Sequence, residues 1–267
     1  MPLPELIETI ESHAWTELHS ELPADIRASL GCKIRECSSG VALITAGADV
    51  PGVNRVIALG TRVPTSEREI DDLVALYREA GVRRFLVHWS PRAEPAEAPG
   101  WLTERGFRLI SPTLKLCYEI SPAERKEFVT SLRISEIDKT DASTFENIVA
   151  TGLGVQASVS AIVCSTLGNP GWHYYLAHDG YDAIAGAAMF VDGEGAWLGL
   201  MATVEAFRGR GAQKALLHRR LRDAKAAGCS WATADTAPPT SRKPNPSLHN
   251  MTAVGFTISY ERPNYLL

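Results

Sequence analysis

The chain has 267 residues, 45% hydrophobic and 22% charged, with a formal net charge of 27 − 31 = −4. This describes a soluble globular protein long enough for two domains, and its mild acidity argues against nucleic acid as a partner. No apolar run approaches the ~20 residues of a membrane span, the first residues lack the charged and apolar regions of a signal peptide, and the five scattered cysteines (Cys32, Cys37, Cys117, Cys164, Cys229) form neither a paired framework nor a zinc-ligand spacing. The expectation is a cytoplasmic protein without a metal and without a membrane contact.

In chain order, Arg55–Leu59 reads as a strand that runs through Gly60-Thr61-Arg62-Val63-Pro64 into a helix over Glu67–Ala80, with Thr65 or Ser66 as N-cap. The helix stops at Gly81, and a strand over Arg83–Trp89 leads to Pro91 and a loop, Ser90–Gly100, rich in proline. A short helical stretch, Trp101–Arg105, closes on Gly106-Phe107, and Thr113–Ile120 is strand-like. Charged residues and a proline break the apolar pattern over Ser121–Thr130, giving domains 1–125 and 126–267.

In the second domain Leu132–Ile137 alternates as a strand, and Ala142–Thr151 and Ser158–Leu167 read as two short helices. Trp172–Ala177 and Ala183–Val191 form a hairpin about an Asp-Gly turn, and Asp192-Gly193-Glu194-Gly195 leads to a strand ending at Val204. A helix over Lys214–Ala227 places Leu217, Leu221 and Ala224 on one stripe; a strand over Trp231–Thr236, a helix over Ser247–Val254 and a strand over Thr257–Glu261 complete the order. This order, β-α-α-β-β-β-α-β-α-β, implies an α/β mixed sheet with helices on its faces. The two halves echo each other: Gly81 to Pro91 and Gly228 to Pro238 are both ten residues, and each half then closes a short helix on Gly-Phe.

Phe207-Arg208-Gly209-Arg210-Gly211-Ala212-Gln213 joins a strand to a helix. The first helical N–H groups have no partner within the helix, and the macrodipole adds about half a positive charge there. Gly209 and Gly211 permit positive φ, and Arg208, Arg210 and Lys214 add cationic charge, so this stretch is an anion cradle. From Arg208 to Lys225 seven basic residues face one acidic residue, Asp223; the ordinary reading of Arg219, Arg220 and Arg222 is a solvated helix face. The first half has no such sequence.

In this arrangement the second half resembles the GCN5-related N-acetyltransferases (GNAT), whose phosphate loop reads Arg/Gln-x-x-Gly-x-Gly/Ala. Arg208-Gly209-Arg210-Gly211-Ala212-Gln213 matches the Arg and the first Gly and departs at Gln213; Glu205 stands where the family usually has Pro. The resemblance implies a GNAT fold, with the first half a degenerate tandem copy, and acetyl-coenzyme A as co-substrate. It places Met201, Ala202 and Thr203 against the pantetheine arm, and Arg208 to Lys214 around the phosphates. Asn245 is ten residues before Gly255 and serves as N-cap, as cofactor contact or as both. Met251 stands where the family's general acid Tyr is common, and a thioether cannot donate that proton.

Acetyl transfer to an amine needs a held cofactor, a polarised carbonyl, a deprotonated amine and a stabilised thiolate. Asp235, at the carboxyl end of a strand, leads the candidates for base; His173 and Tyr260 follow as base or proton donor, with His249, Tyr174 and Tyr175 further alternatives. Trp15, Trp89 and Trp101 are candidates for lining an acceptor pocket. The expected function is N-acetylation of a primary amine on a small molecule or peptide by a monomer or homodimer. The alternative is a catalytically silent CoA-binding module. A P-loop or dinucleotide binder is disfavoured by the absence of Gly-Lys-Ser/Thr and of the Rossmann glycine spacing.

Overall fold

A computed structural model describes residues 2–121, 128–241 and 244–267. The expected boundary at 125/126 lies outside the described residues. Two compact units emerge: residues 2–115 with 259–267, and residues 116–258. The last nine residues thus fold with the amino-terminal unit rather than with the residues just before them.

The amino-terminal unit opens with helices α1 (Pro4–Ser20) and α2 (Ala24–Ser29) and strands β1 (Cys32–Glu36), β2 (Val41–Thr45) and β3 (Arg55–Ile57). It continues through α3 (Glu67–Glu79), β4 (Leu86–His88), α4 (Ala98–Glu104) and β5 (Arg108–Glu119), whose last four residues fall in the other unit. The sequence pattern marked neither α1 nor the hairpin β1–β2. β2 is buried at every residue, so it carries no alternation to read. Ser66 is the N-cap of α3, accepting from the Glu69 N–H at 3.2 Å. Ile70, Leu73, Val74 and Tyr77 form the buried stripe of α3. Tyr77 stacks on Phe85 with centroids 3.8 Å apart and donates its hydroxyl to the Leu43 carbonyl at 2.9 Å. Trp89 belongs to this core and Trp101 packs against it, while Trp15 lies 4.0 Å beneath the Arg55 guanidinium. Trp89 is buried in this packing, and Trp15 and Trp101 are half-buried.

The second unit contains β6 (Arg133–Glu136), α5 (Ala142–Leu153), β7 (Trp172–Asp179), β8 (Asp182–Asp192), β9 (Gly195–Thr203), α6 (Ala212–Ala226), β10 (Trp231–Thr236), α7 (Pro246–Val254) and the start of β11 (Thr257–Leu266). The second short helix expected at Ser158–Leu167 is a 3-10 segment, Ala157–Cys164. The sheet of this unit runs β5-β10-β9-β8-β7-β6, with β9 and β10 parallel and the remaining pairs from β9 to β6 antiparallel. The amino-terminal unit runs β1-β2-β3-β4-β11-β5 and gains its β11 from residues 259–266.

That borrowed strand is held by a buried ionic cluster. Arg262, 1% exposed, donates to Glu8 at 3.0 Å and to Glu11; Lys115 meets Glu11 at 2.6 Å. Two carboxylates and two cations cancel in charge. Burial works to raise the Glu11 pKa, but Arg262 and Lys115 hold it well below the usual carboxylate range.

Candidate functional site

Two local features of the second unit define the site. The first is the end of β9. Its parallel pairing with β10 stops at Trp197↔Thr233, although both strands continue. From Leu198 to Thr203, β9 is therefore paired only on its β8 side, and a wedge opens towards Ala234–Thr236. On the β8 side the ladder steps from Ala188↔Gly199 to Gly186↔Ala202, so Leu200 and Met201 both stand opposite Ala187. This is a β-bulge, and Leu200 within it has a positive φ of 48°. A left-handed leucine inside a strand is uncommon, and no residue in the sequence announces it.

The second feature is the turn after β9. A 3-10 turn over Glu205–Phe207 leads to Gly209 and Gly211, with φ of 84° and 82°, and α6 starts at Ala212. The expected start at Lys214 was two residues late. α6 has no side-chain N-cap. The N–H groups of Gly209 through Lys214 find no acceptor among the described residues, and a Cβ built on Gly209 or Gly211 would meet nothing within 4 Å. Six amides without an acceptor beside open space at a helix N-terminus are a backbone geometry suited to an anion.

Side chains frame this turn. Arg210 is hydrogen-bonded to Asp179 and lies 5.0 Å over the Phe207 ring. Arg208 is exposed and meets Glu205 at 3.5 Å. Gln213 donates to Ser247 and accepts from Asn250, both at 2.8 Å, tying α6 to α7. Asn245 is the N-cap of α7: it accepts from the Leu248 N–H at 3.0 Å and donates to Thr236 and to the Ala237 carbonyl. Both amide hydrogens of Asn245 are thus engaged in holding the end of β10 against the start of α7.

The amino-terminal unit is built differently at the corresponding place. There the Gly60 N–H donates to the Ser39 carbonyl, the Glu94 N–H to the Gly60 carbonyl and the Thr65 N–H to the Glu94 carbonyl, each at 2.8 Å. A Cβ on Gly60 would come within 2.6 Å of the Glu94 carbonyl oxygen, so the two loops are laced together. Glu69, in the first turn of α3, accepts from Ser38 at 2.7 Å, from the Ser39 hydroxyl at 2.6 Å and from Thr65 at 2.8 Å. Burial works to raise its pKa, yet the bonds from Ser39, Ser38 and Thr65 lower it below the usual value. A carboxylate occupies the positive end of this helix, where it repels a phosphate.

The candidate proton-transfer groups separate. Asp235 is exposed on β10, beyond the last residue paired with β9. It shares a face of the strand with Thr233. His173 does not reach this wedge. It stands on β7, which β8 separates from β9, about 10 Å away at two strand spacings, and its Nδ1 lies 2.7 Å from Glu136 Oε1. Tyr260 belongs to the amino-terminal unit, where its hydroxyl donates to Glu8 at 2.7 Å. Burial, with the Glu8 charge beside it, pushes the Tyr260 pKa far up, and its hydroxyl proton is engaged by Glu8. Tyr174 is buried against Thr166 at 2.7 Å and Tyr175 donates to Asp223 at 3.0 Å; both are packing residues. His249 is exposed on α7, and Met251 is 3% exposed. Arg220 also departs from expectation, being 1% exposed. It sits three residues after Leu217 and four before Ala224, on the very stripe that faces the sheet, and that spacing was the available signal.

Two grooves lie elsewhere. One of about 960 Å³ runs along β1 and α3 in the amino-terminal unit, and one of about 620 Å³ lies beside Phe128, His218 and Arg219. Neither touches the turn at Gly209–Gly211. The wedge and the unpaired amides mark the candidate site by their chemistry rather than by volume.

No model of a known family matches the chain, and no curated protein matches it in sequence. Solved structures do. A GCN5-related N-acetyltransferase from Kribbella flavida superposes with a TM-score of 0.69 at 15% identity, over 99% of this chain and 95% of that one. A GCN5-related N-acetyltransferase from Sphaerobacter thermophilus gives 0.61 at 13%, over 100% and 93%. A tandem GNAT protein from the clavulanic acid biosynthesis pathway gives 0.58 at 12%, over 96% and 94%. The chain has the GNAT fold, with a mixed α/β sheet, and its match along a tandem GNAT fits two copies. At such identities the likeness establishes architecture, and activity has to be argued from the site.

Proposed function

We propose that residues 116–258 bind acetyl-coenzyme A and transfer its acetyl group to a primary amine on a small molecule or peptide. The observation that carries this reading is the conjunction of six unpaired amides at the start of α6 with the wedge between β9 and β10. The amides of Gly209–Lys214 suit a diphosphate, with Arg208, Arg210 and Lys214 as surrounding charge. The unpaired edge of β9, including Met201, Ala202 and Thr203, suits the amide-bearing pantetheine arm, which completes the sheet as an added strand does. Gln213 and Asn245 hold the two helix starts on either side of it. The amino-terminal copy, laced through Glu94 and closed by Glu69, does not bind the cofactor in this reading and serves as a structural partner.

In the reaction the neutral amine nitrogen attacks the thioester carbonyl carbon. The C–N bond forms, the C–S bond breaks, the amine proton passes to Asp235, and the thiolate leaves to be protonated by solvent. Amides at the β9 bulge polarise the carbonyl oxygen. The step in this form uses no metal.

Buried Met251, at the position of the family's common Tyr, favours a second reading as a silent CoA-binding module. Incubation with acetyl-CoA and a panel of amines separates the two. Release of free CoA thiol stimulated by an amine supports transfer, and tight binding without stimulated release supports the silent module. Binding of ATP or a dinucleotide in place of CoA contradicts both.

A further inference from the structure

The sheet-facing stripe of α6 carries one charged side chain, and it lies directly behind the β9 bulge. Arg220 Nη1 donates to the Ala188 carbonyl at 3.0 Å and reaches the Gly199 carbonyl at 3.5 Å; its Nε donates to Leu216 at 3.2 Å. Ala188 and Gly199 are cross-strand partners, and the next step of that ladder is the bulge at Leu200 and Met201. The guanidinium therefore pins the last regular pair before the strand irregularity.

Arg220 is buried without a carboxylate: none of the described residues forms an ion pair with it, and the acidic group in its charge environment is the Tyr175 phenol, whose own pKa burial raises so that it stays protonated at neutral pH. Burial lowers its pKa to about 10, which leaves it charged at neutral pH. Taking an ion out of water is costly even when it is hydrogen-bonded, and buried ion pairs replaced by apolar residues of similar volume are often no less stable. Packing alone does not account for a cation here. A negative charge forming at the neighbouring bulge during reaction would give the cation a role beyond its bonds to the Leu216, Ala188 and Gly199 carbonyls.

We propose that Arg220 is a positioning residue that acts through β9, fixing the bulge whose amides polarise the bound thioester carbonyl and supplying the fixed positive charge that favours the carbonyl's developing oxyanion. This rests on the acetyl-CoA reading above. Preorganised charge in a water-poor site stabilises such an anion without reorganisation at the moment of reaction. Arg220 does so from behind the strand, with no contact to the cofactor.

The test needs no knowledge of the acceptor. Acetyl-CoA labelled with carbon-13 at the thioester carbonyl is bound to the full chain, and isotope-edited infrared difference spectra record the carbonyl stretch. Calorimetry on the same samples reports binding. The wild-type protein is expected to shift the stretch to lower frequency than in free acetyl-CoA. Arg220→Met is expected to keep binding and to lose most of that shift; Arg220→Lys, which keeps the charge but loses the planar fork, is expected to keep part of it. If Arg220→Met does not fold, Arg220→Lys carries the test, and an undiminished shift in Arg220→Lys contradicts the pinning role. An undiminished shift in a folded Arg220→Met protein, or wild-type binding with no shift, overturns the proposal while leaving the acetyl-CoA reading intact. Absence of binding heat in the wild type overturns that reading and this inference with it.

Discussion

Asp235 is the residue on which the proposed chemistry turns, because it alone of the proposed proton-transfer groups stands on the splayed part of β10. Asp235→Asn keeps shape and removes basicity. General base catalysis contributes about 10²- to 10⁴-fold, so kcat with the best amine of a panel should fall by about a hundredfold or more, with CoA affinity unchanged. A normal rate profile across pH in Asp235→Asn excludes it as base. Residue identity was legible where chemistry is local: the glycines of the turn, the Asn245 cap and the Ser66 cap all sit where their backbone geometry demands. It failed where partners are remote. Tyr260 is tied to Glu8 across 252 residues of sequence, and no local pattern reports that. Arg220 was misread for a different reason. Arginine on a helix is usually solvated, and only its place on the Leu217–Ala224 stripe contradicts that habit.

Among the elements, β11 carries the least expected role. Its Arg262 neutralises Glu8 and Glu11 inside the amino-terminal unit. Removing one partner of a buried ion pair costs about 3–5 kcal/mol, so Arg262→Met should lower unfolding free energy in urea by about that amount and leave CoA affinity unchanged. A loss below ~1 kcal/mol would show that the cluster relaxes around the vacancy. α1 contributes a second, pH-dependent element. His19 is 0% exposed, and its Nδ1 lies 2.8 Å from the Trp15 carbonyl. Burial lowers its pKa from 6.5 to about 4. The unfolded chain therefore takes up a proton before the folded one does, and stability falls as pH drops from 6.5 towards 4. The difference corresponds to roughly 3 kcal/mol at the lower end. Urea unfolding between pH 7 and 4.5 should show this decline, and His19→Gln should lessen it, leaving the share of buried His88, whose pKa burial also lowers; equal slopes in the two proteins would contradict the burial of a neutral imidazole at position 19. The order of strands and helices in the second unit was legible, with matching bounds at Trp231–Thr236, because amphipathic alternation and turn residues coincide; the 3-10 segment Ala157–Cys164 and the extension of β11 to Leu266 were not. β2 was not, since a strand buried on both faces shows no alternation.

At the scale of the molecule, duplication and asymmetry go together. One copy of the fold keeps its helix start open, with glycines at 209 and 211. The other laces the equivalent loop through Glu94 and places Glu69 at the helix start. The sequence showed the missing glycines in the first half but not the carboxylate that replaces an anion, because Ser38, Ser39 and Thr65 converge on Glu69 only in three dimensions. The account therefore predicts one cofactor site per chain. Titration calorimetry with coenzyme A on the full chain and on Gly211→Asp tests this most directly. One site per chain in the wild type, and no heat in a folded Gly211→Asp protein, is the predicted result. No heat in the wild type, two sites per chain, or unchanged affinity after a carboxylate is placed at the start of α6 would contradict it.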